Sequence, residues 1–529
     1  MIAPQSDTQA EAEAQYRLGS RLWQEGAQND ALAAFARAVA LVPDHADART
    51  TFGNALIAAG QAEAAVGQLR AAVALQPDHA PALYNLGNAL LASGRAEEAV
   101  ASFRAALARD ASHVGAHNNL GNALRALGRQ EEAASCYRAA LALRPDLAGA
   151  HNNLGAALLA LHLPAEAAAS FRAALARNPE YAEACNNLGG ALLALDRPEE
   201  AIDWFRRAVV LDEEEVQARF GEALALLTLG RYREGWAAYE SRWLDPRFCG
   251  DERRYDMPPW NFAAGEPIAG RTLLLHAEQG LGDTIQFARY APLLRRQGAR
   301  VVLEVQAPLV ALLGELADEV IATGADLPHC DLHCPLLSLP LACGTTLPTV
   351  PAAIPYLHAD PARRARWRDR LGPRGKPRVG LVLSGSADHP EDALRSIPAA
   401  TLRPLLALPQ VELHVVQKDV READEAVLRG VPDVRVHAAH LDDFADTAAL
   451  LVELDLLVSI DTSAAHLGGA LGRPVWLLVQ SNADFRWLRH RTDSPWYPTM
   501  RLFRQTEMRR WEPVVARVAA ALRTRYDAG

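Results

Sequence analysis

The stretch YNLGNALLASGRAEEAVASFRAALARDASHVGAH, residues 84–117, is one unit of a repeat that decides the fold of the first half of the chain. Its Leu86-Gly87 pair has a counterpart at every 34th position. The counterparts are Leu18-Gly19, Phe52-Gly53, Leu120-Gly121, Leu154-Gly155 and Leu188-Gly189. This regular spacing predicts a stack of identical supersecondary elements, because one such unit is too small to bury its apolar face alone.

Three further positions keep the same register and indicate what each unit is. A small residue recurs at Ala31, Ala65, Ala99, Ala133, Ala167 and Ala201, and a large one at Phe35, Leu69, Phe103, Tyr137, Phe171 and Phe205. Pro43, Pro77, Pro145 and Pro179 close four units, since proline cannot continue a helix. This pattern is that of the tetratricopeptide repeat (TPR), a pair of helices A and B. We expect the glycine to let helix A approach helix B.

Composition sets limits on the function. The chain has 529 residues, half of them hydrophobic, and a formal net charge of −10. This acidic balance argues against binding of nucleic acid, which would require a basic face. The cysteines are scattered and indicate a reducing compartment without a disulfide framework. They are Cys136, Cys185, Cys249, Cys330, Cys334 and Cys343.

The N-terminal residues show neither the basic start nor the apolar run of a signal peptide. No apolar stretch reaches the roughly 20 residues that a transmembrane helix needs. We therefore expect a soluble, cytoplasmic protein without a membrane span.

The hydrophobic periodicity changes near residue 270, where short apolar runs begin to alternate with amphipathic segments. The candidate strands are RTLLLHAEQ, ARVVLEV, EVIAT, DLHCPL, PRVGLVLS, VELHVVQ, VRVHA, LLVSID and PVWLLV. Such alternation predicts parallel sheets flanked by helices. The predicted fold is an α-solenoid followed by an α/β region of two Rossmann-like lobes. We expect the following boundaries: a TPR solenoid over 13–243 with an imperfect last unit at 216–243, a linker over 244–268, a first lobe over 269–370, and a second lobe over 376–529 with a terminal helix near 511–524.

The first candidate site is the loop Gln279-Gly280-Leu281-Gly282-Asp283-Thr284, between a predicted strand and a predicted helix. Ligands of open α/β folds bind at this carboxyl end of the sheet. Glycines let a ligand approach the backbone closely, and Asp283 would place a carboxylate in the cleft. In the alternative interpretation, Asp283 only caps the helix.

The second candidate site is Asp461-Thr462-Ser463-Ala464-Ala465-His466, which follows the strand LLVSI and opens a helix. The first N–H groups of that helix would face a phosphate, and His466 would add a hydrogen bond or a positive charge. Alternatively, Asp461 and Ser463 cap the helix and His466 is merely packed.

Two other loops have similar positions. Ser384-Gly385-Ser386-Ala387-Asp388-His389 followed by Arg395 suits a diphosphate, because hydroxyl groups and a guanidinium fork both bind phosphate oxygens. Gln417-Lys418-Asp419 ends a strand and is placed to meet a base, a ribose or a phosphate. The Ser384 segment also fits an ordinary surface loop, and the Gln417 segment is a weak signal by itself.

A metal or a redox cofactor is not expected. His329, Cys330, His333 and Cys334 suggest zinc, but adjacent side chains of a strand point to opposite faces. The chain has no nucleophile elbow, Walker loop or HExxH helix, and GLGD is not a full dinucleotide fingerprint.

The segments GLGDTIQFARY and SIDTSAAHLGGALGRPVWLLV resemble the lobe motifs of bacterial heptosyltransferase-like glycosyltransferases (family 9-like), which have the GT-B fold. The whole layout is similar to bacterial TPR-fused glycosyltransferases, including flagellin-modifying enzymes, and to protein O-GlcNAc transferases. The segments DLHCPLLSLP, RSIP, DDFADTAAL, DFRWL and DSPWYPTMRLFRQ fit the TPR-fused group.

The resemblance implies inverting, metal-independent transfer from a nucleotide-sugar, with Asp283 as the catalytic base. The chain also departs from the family at two positions. Arg395 stands near the place of the family's lysine, and Ser463 replaces a glycine, so the identity of the donor nucleotide stays open. With the loops described above, the predicted donor-binding residues are Gly280, Gly282, Thr284, Ser384, Ser386, Arg395, Gln417, Lys418, Asp461, Thr462, Ser463 and His466.

Asparagines recur on one face of helix A. Asn85, Asn119, Asn153 and Asn187 share one position of four units, and Asn54, Asn88 and Asn122 lie three residues later on the same face. Asparagine amides can pair with peptide backbone of any sequence. The pattern resembles the asparagine ladder of O-GlcNAc transferases, so we expect a polypeptide acceptor to bind Asn85, Asn88, Asn119, Asn122, Asn153 and Asn187. Alternatively, these amides bond within or between repeats.

The leading hypothesis is therefore a glycosyltransferase that modifies a protein acceptor, flagellin-like or otherwise secreted, held in the TPR groove. One alternative is transfer to a saccharide or a lipid-linked acceptor. The other is a non-catalytic TPR scaffold for protein interaction.

Overall fold

The computed structural model describes residues 5–245, 255–387 and 392–526. Cys249, part of the linker, and Asp388 and His389 of the Ser/Gly loop lie outside the described residues. The chain divides into two compact units. The first extends to Leu195 and includes Val210–Asp212, and the second comprises Asp196–Val209 and continues from Glu213.

Antiparallel helix pairs form the repeats, with odd-numbered helices as A and even-numbered ones as B. They are α1 (Gln5–Gln24), α2 (Gln28–Leu41), α3 (Ala46–Ala58), α4 (Ala62–Leu75), α5 (Ala80–Ala92), α6 (Ala96–Arg109), α7 (Val114–Ala126), α8 (Gln130–Leu143), α9 (Ala148–Ala160), α10 (Pro164–Arg177), α11 (Ala182–Ala194), α12 (Pro198–Leu211), α13 (Val216–Thr228) and α14 (Tyr232–Tyr239). The four register prolines each lie two residues beyond the end of a B helix. The first helix begins before residue 13, where we expected the solenoid to start.

The register glycine has the predicted role of bringing the two helices of a repeat together. A Cβ atom built on Gly121 would lie 2.6 Å from the ring of Tyr137, and one on Gly87 would lie 2.5 Å from that of Phe103. These aromatic rings are fully buried. Leu-Gly pairs therefore recur because any larger residue at the glycine would push helix A away from the ring beneath it.

A second register, which the sequence reasoning did not single out, lies in the turn between helices A and B. Gly60, Gly94 and Gly128 each have φ of +74° there, a conformation that glycine adopts without steric cost. The equivalent residues His162 and Asp196 keep the same left-handed backbone, with φ of +59° and +57°. The turn geometry is thus retained where the glycine is lost.

Two parallel sheets dominate the second unit. The first has the strand order β3-β2-β1-β4 and the second has the order β10-β9-β8-β5-β6-β7. The strands are β1 (Thr272–His276), β2 (Arg300–Val305), β3 (Glu319–Ala322), β4 (Leu332–Pro335), β5 (Arg378–Val382), β6 (Glu412–Val415), β7 (Val434–Val436), β8 (Leu456–Ile460), β9 (Val475–Val479) and β10 (Met500–Arg504). The first nine lie in predicted segments, whereas β10 was missed.

Mostly short helices accompany these strands. They are α15 (Leu281–Phe287), α16 (Ala291–Arg296), α17 (Val310–Leu313), α18 (Leu339–Ala342), α19 (Pro361–Leu371), α20 (Asp392–Arg395), α21 (Arg403–Leu406), α22 (Glu422–Arg429), α23 (Phe444–Val452), α24 (Ser463–Ala470) and α25 (Glu512–Tyr526). We expected α25 to cross both lobes, but its main contacts are with α21 and β10 of the second sheet. None of the helices in the described ranges combines the length and apolar character that crossing a bilayer requires.

The end of the repeat array belongs to the second unit, although we expected 13–243 to form one domain. Trp236 of α14 is buried, with its ring centroid 5.9 Å from that of Phe287 and 5.5 Å from that of Phe485. The last repeat therefore shares one apolar core with the two sheets. The Tyr255 ring of the linker likewise contacts His276 of β1, with 4.6 Å between the ring centroids.

The contact between Gly121 and Tyr137 gives a stability test. Gly121→Ala should destabilise the chain by about 1–3 kcal/mol, the usual cost of overpacking a filled core. Gly149→Ala is the matched control, since a Cβ at this helical glycine meets no atom within 4 Å and alanine is the better helix former. Urea denaturation followed by circular dichroism measures both. Equal effects of the two substitutions would contradict the packing role.

Candidate functional site

The predicted loops lie at the topological switch points of the two sheets. In the first sheet the order reverses beside β1, and in the second it reverses between β5 and β8. Chain connections leave in opposite directions at such points and open a crevice at the carboxyl ends of the strands. The Gly280 loop follows β1, the Ser384 loop follows β5, and the Asp461 loop follows β8.

These loops open on one cleft of about 580 Å³, which is a volume typical of small-molecule sites. The first sheet contributes three predicted residues, Gly280, Gly282 and Asp283. The second sheet contributes Ser384, Ser386, Arg395, Gln417, Lys418, Asp461, Thr462, Ser463 and His466. The tertiary structure therefore brings together residues that are up to 186 positions apart in the sequence.

Asp283 is held from both sides. Its Oδ2 accepts a hydrogen bond from the Gly280 N–H at 3.0 Å, and its Oδ1 pairs with the guanidinium of Arg486. It thus lies at the third residue of the helix, and its carboxylate caps the backbone N–H of the N-cap residue, Gly280. Burial raises the pKa of Asp283 above its ordinary value, and the positive charge of Arg486 opposes that rise.

Thr284 does not have the predicted donor contact. Its side chain is buried, and its hydroxyl oxygen lies 2.9 Å from Oε1 of Gln306 and 3.3 Å from the Gly280 carbonyl oxygen. It is not among the residues that line the cleft. The physical reason is the helical turn, which points Thr284 inward when Asp283 faces the cleft.

Arg395 lies across the backbone of the Ser384 loop. A Cβ on Gly385 would lie 2.5 Å from its Nη2, so a larger residue would displace the guanidinium from this position. Nη1 of Arg395 donates to the Asp461 carbonyl oxygen at 3.2 Å. Arg395 thus connects the loops that follow β5 and β8, and its charge lies in the cleft.

Gln417 has a more structural role than predicted. Its Oε1 accepts from the N–H groups of Leu383 and Ser384, and its Nε2 donates to Ser384 Oγ and to the Asp419 carbonyl oxygen. The amide therefore fixes the shape of the Ser384 loop. Lys418 is exposed and donates to the Asp442 carbonyl oxygen at 3.3 Å.

Asp461 and His466 meet at the start of α24. Asp461 Oδ2 accepts from Trp487 Nε1 at 2.7 Å, and burial raises the pKa of Asp461 to about 6. Thr462 is the N-cap residue, and its side chain makes no capping hydrogen bond to α24.

His466 is buried, with Nδ1 3.0 Å from the Tyr497 hydroxyl oxygen. Burial, together with Arg486 and Arg289, lowers the pKa of His466 well below its ordinary value. Of the two contributions expected of His466, a hydrogen bond or a positive charge, the lowered pKa favours the hydrogen bond from a neutral ring.

The sequence reasoning missed the segment after β9. Asp484 and Arg486 line the cleft, and Trp487 holds Asp461. The resemblance to TPR-fused enzymes includes this segment but gave its residues no role. The rule that ligands bind at the carboxyl ends of parallel strands could have identified it, because β9 ends at Val479.

The helix A asparagines bond mainly to one another between repeats. Asn119 Nδ2 donates to Asn88 Oδ1 at 2.8 Å, and Asn153 Nδ2 donates to Asn122 Oδ1 at 3.2 Å. Asn187 donates in the same way to the buried Asn152. This is the alternative stated above, although each amide has two donor hydrogens and an oxygen with two lone pairs. Asn85 is half-buried, and its binding of an acceptor, like that of the other ladder asparagines, remains a prediction.

The histidine and cysteine cluster of β4 is part of the first sheet. His333 Nδ1 lies 3.2 Å from His276 Nε2, and Cys330 packs with Leu274 and Val302. Within the described ranges, no group of three or more His, Cys, Asp or Glu side chains is arranged to hold a metal ion.

The family models that match the chain cover its repeats. A TPR repeat model matches residues 121–161, and a tetratricopeptide repeat model matches residues 50–114 and 152–215. The N-terminal region is thus a TPR array, followed by a region of parallel sheets. Protein FlbA of Caulobacter vibrioides is 30% identical over 324 residues, which are 56% of this chain and 53% of FlbA. The chain therefore spans about half the length of this relative.

Solved TPR structures resemble only part of the chain. YrrB, a TPR protein with an unusual peptide-binding site, is 23% identical and covers 35% of this chain and 95% of its own, with a TM-score of 0.31. A thermophilic TPR protein of Thermus thermophilus, TTC0263, is 26% identical and covers 34% and 99%, with a TM-score of 0.30. TM-scores this low say nothing about the residues or the chemistry of the cleft.

The packing of Arg395 on Gly385 gives a binding test. Gly385→Ala should displace the guanidinium and weaken binding of inorganic pyrophosphate about tenfold, because hydrogen bonds to charged groups contribute about 1.5–3 kcal/mol. Isothermal titration calorimetry measures the affinity. Gly375→Ala is the control, since a Cβ there meets nothing within 4 Å. If Gly385→Ala binds pyrophosphate like the wild type, Arg395 is not an anion-binding residue.

Proposed function

We propose that the protein is an inverting, metal-independent GT-B glycosyltransferase that transfers a sugar from a nucleotide-sugar to a polypeptide acceptor. The observation that carries the proposal is the composition of the cleft. A partly buried carboxylate, Asp283, comes from the first sheet, while a Ser/Gly loop, Arg395 and the start of α24 come from the second. A base on one side and phosphate-binding groups on the other are what the reaction requires.

Asp283 would act on the acceptor. The acceptor hydroxyl oxygen attacks the anomeric carbon, and the bond from that carbon to the donor phosphate oxygen breaks. The nucleotide leaves with the electron pair, and the hydroxyl proton passes to the Asp283 carboxylate. The pKa of Asp283 is raised by burial, which makes the carboxylate a stronger base than an exposed aspartate.

The second sheet would stabilise the leaving phosphate. Arg395 offers a guanidinium in the cleft, and α24 directs its first backbone N–H groups and its dipole toward the same space. Ser384, Ser386 and Ser463 line the cleft nearby, so their backbone and hydroxyl groups complete a polar setting for phosphate oxygens. Because these groups supply the electrostatic stabilisation, the proposed step needs no metal ion.

The TPR array would hold the acceptor. TPR arrays serve as binding surfaces for polypeptides, which supports a protein acceptor over a lipid-linked or saccharide one. The asparagine ladder keeps hydrogen-bonding capacity beyond its bonds between repeats. A flagellin-like acceptor follows from the family resemblance.

The role of Asp283 is tested by Asp283→Asn. A thermal-shift panel of UDP-, CMP-, GDP- and ADP-sugars first identifies the donor class, and transfer from that donor is then measured. We expect turnover to fall at least about 100-fold with the thermal shift retained, since general base catalysis contributes about that much. Asp326→Asn, an exposed acid of the same lobe, is the control. Unchanged turnover in Asp283→Asn would exclude the role.

The role of the ladder is tested by replacing Asn119 and Asn153 with Ala. We expect the KM for flagellin to rise about tenfold while hydrolysis of the nucleotide-sugar is unchanged, since lost hydrogen bonds contribute about 0.5–1.5 kcal/mol each. Asn178→Ala is the control, because this exposed asparagine at the end of α10 lies outside the ladder and bonds only locally, to the Glu180 N–H. An equal loss of transfer and hydrolysis would show a structural role instead.

A further inference from the structure

Arg486 joins the two sides of the cleft through one guanidinium. Its Nη2 pairs with Asp283 of the first lobe, while Nη1 donates to Asp484 Oδ1 at 2.8 Å and Nε donates to Gln286 Oε1 at 2.9 Å. The guanidinium carbon also lies 4.4 Å from the ring centroid of Phe485. The side chain is 9% exposed and lines the cleft.

Anionic ligands meet few cations here. Among the described residues that line the cleft, the cations are Lys418, Arg395 and Arg486. The carboxylates are Asp283, Asp419, Asp442, Asp443, Asp461 and Asp484. Lys418 is exposed and directed at a backbone carbonyl, so a buried phosphate would depend on the two arginines.

We infer that Arg486 is an anion-binding residue that exchanges its ion pair with Asp283 for a phosphate group of the ligand. Asp484, Gln286 and the Phe485 ring hold the guanidinium in place from other directions. Only the contact of Nη2 therefore has to change. A phosphate oxygen is a charged hydrogen-bond acceptor like the Asp283 carboxylate oxygen, so it can take over the contact with Nη2.

The exchange connects ligand binding to the chemistry of Asp283. While Arg486 is paired, its positive charge stabilises the carboxylate and reduces its tendency to take a proton. When a phosphate takes over the guanidinium, Asp283 loses that counter-charge in a buried setting. The remaining titratable neighbours are Asp484, Tyr239 and His466. This consequence rests on the proposed function, because it makes Asp283 a still stronger base when a donor is bound.

The experiment measures affinity for inorganic pyrophosphate by isothermal titration calorimetry on the full chain at constant ionic strength. Arg486→Gln should weaken binding at least about tenfold, the effect of losing a hydrogen bond between charged groups. Asp283→Asn should tighten binding several-fold, because the competing carboxylate is gone. In the double variant, Asp283→Asn should give no gain. Arg489→Gln should bind pyrophosphate like the wild type. Arg489 lies in the same segment as Arg486 and forms an ion pair with Asp196, but it does not line the cleft.

Opposite signs for the two variants distinguish an exchange from a structural role. The side chain of Asp283→Asn can still accept a hydrogen bond from the Gly280 N–H, so this variant keeps the helix cap. If Arg486→Gln does not fold, Arg486→Lys replaces it as a variant that keeps the positive charge. Unchanged or weaker binding in Asp283→Asn, or unchanged binding in Arg486→Gln, would overturn the inference. The readout needs no turnover. A negative result for the ion-pair exchange is therefore distinguishable from a failure of the proposed sugar transfer, which the turnover of Asp283→Asn tests separately.

Discussion

The close approach of two helix starts determines the geometry of the cleft. A Cβ on Gly282, in the first turn of α15, would lie 3.0 Å from Cδ2 of His466, in the first turn of α24. The absence of a side chain at Gly282 lets the loop after β1 meet the loop after β8. The neutral ring of His466 suits this contact because it is buried and hydrogen-bonded to Tyr497. Asp283 and Asp461 consequently face the same space.

The last TPR repeat supports the same loop from behind. Tyr239 accepts a hydrogen bond from Gln279 Nε2 at 3.1 Å, and the fully buried Arg242 donates to both carboxylate oxygens of Glu278. Leu337 N–H also donates to Glu278, at 3.0 Å. A buried arginine and glutamate are tolerated only when their charges are paired and hydrogen-bonded, so Glu278 is held in one position at the start of the loop. The final repeat is therefore a structural part of the α/β unit.

Local patterns predicted most of the elements but not how they are used. The 34-residue register predicted the helix pairs because the register glycine of helix A packs against the large residue of helix B. Nine of the ten strands were recognisable from short apolar runs. The strand β10 was missed because MRLFR contains two arginines and alternates only weakly. The second glycine register was missed because His162 and Asp196 interrupt it.

For the site, the sequence could indicate loops but not the direction of each side chain. Among the residues that the structure describes, Asp283 and all predicted donor-binding residues other than Thr284 line the cleft, because the carboxyl ends of parallel strands converge at the switch points. The turn of α15 decided that Thr284 points inward, and burial decided that His466 is neutral. The ion pair between Asp283 and Arg486 spans 203 residues, a separation at which sequence patterns carry no pairing information.

The repeat architecture and the α/β character of the second half could be read from the amino-acid sequence alone, because both depend on contacts or periodicities within a few tens of residues. Three features required the folded chain: the last repeat joins the α/β unit, the asparagine ladder bonds between repeats, and Arg486 holds Asp283. These features depend on which distant surfaces meet, and burial and charge pairing at those surfaces then set the chemistry of each side chain.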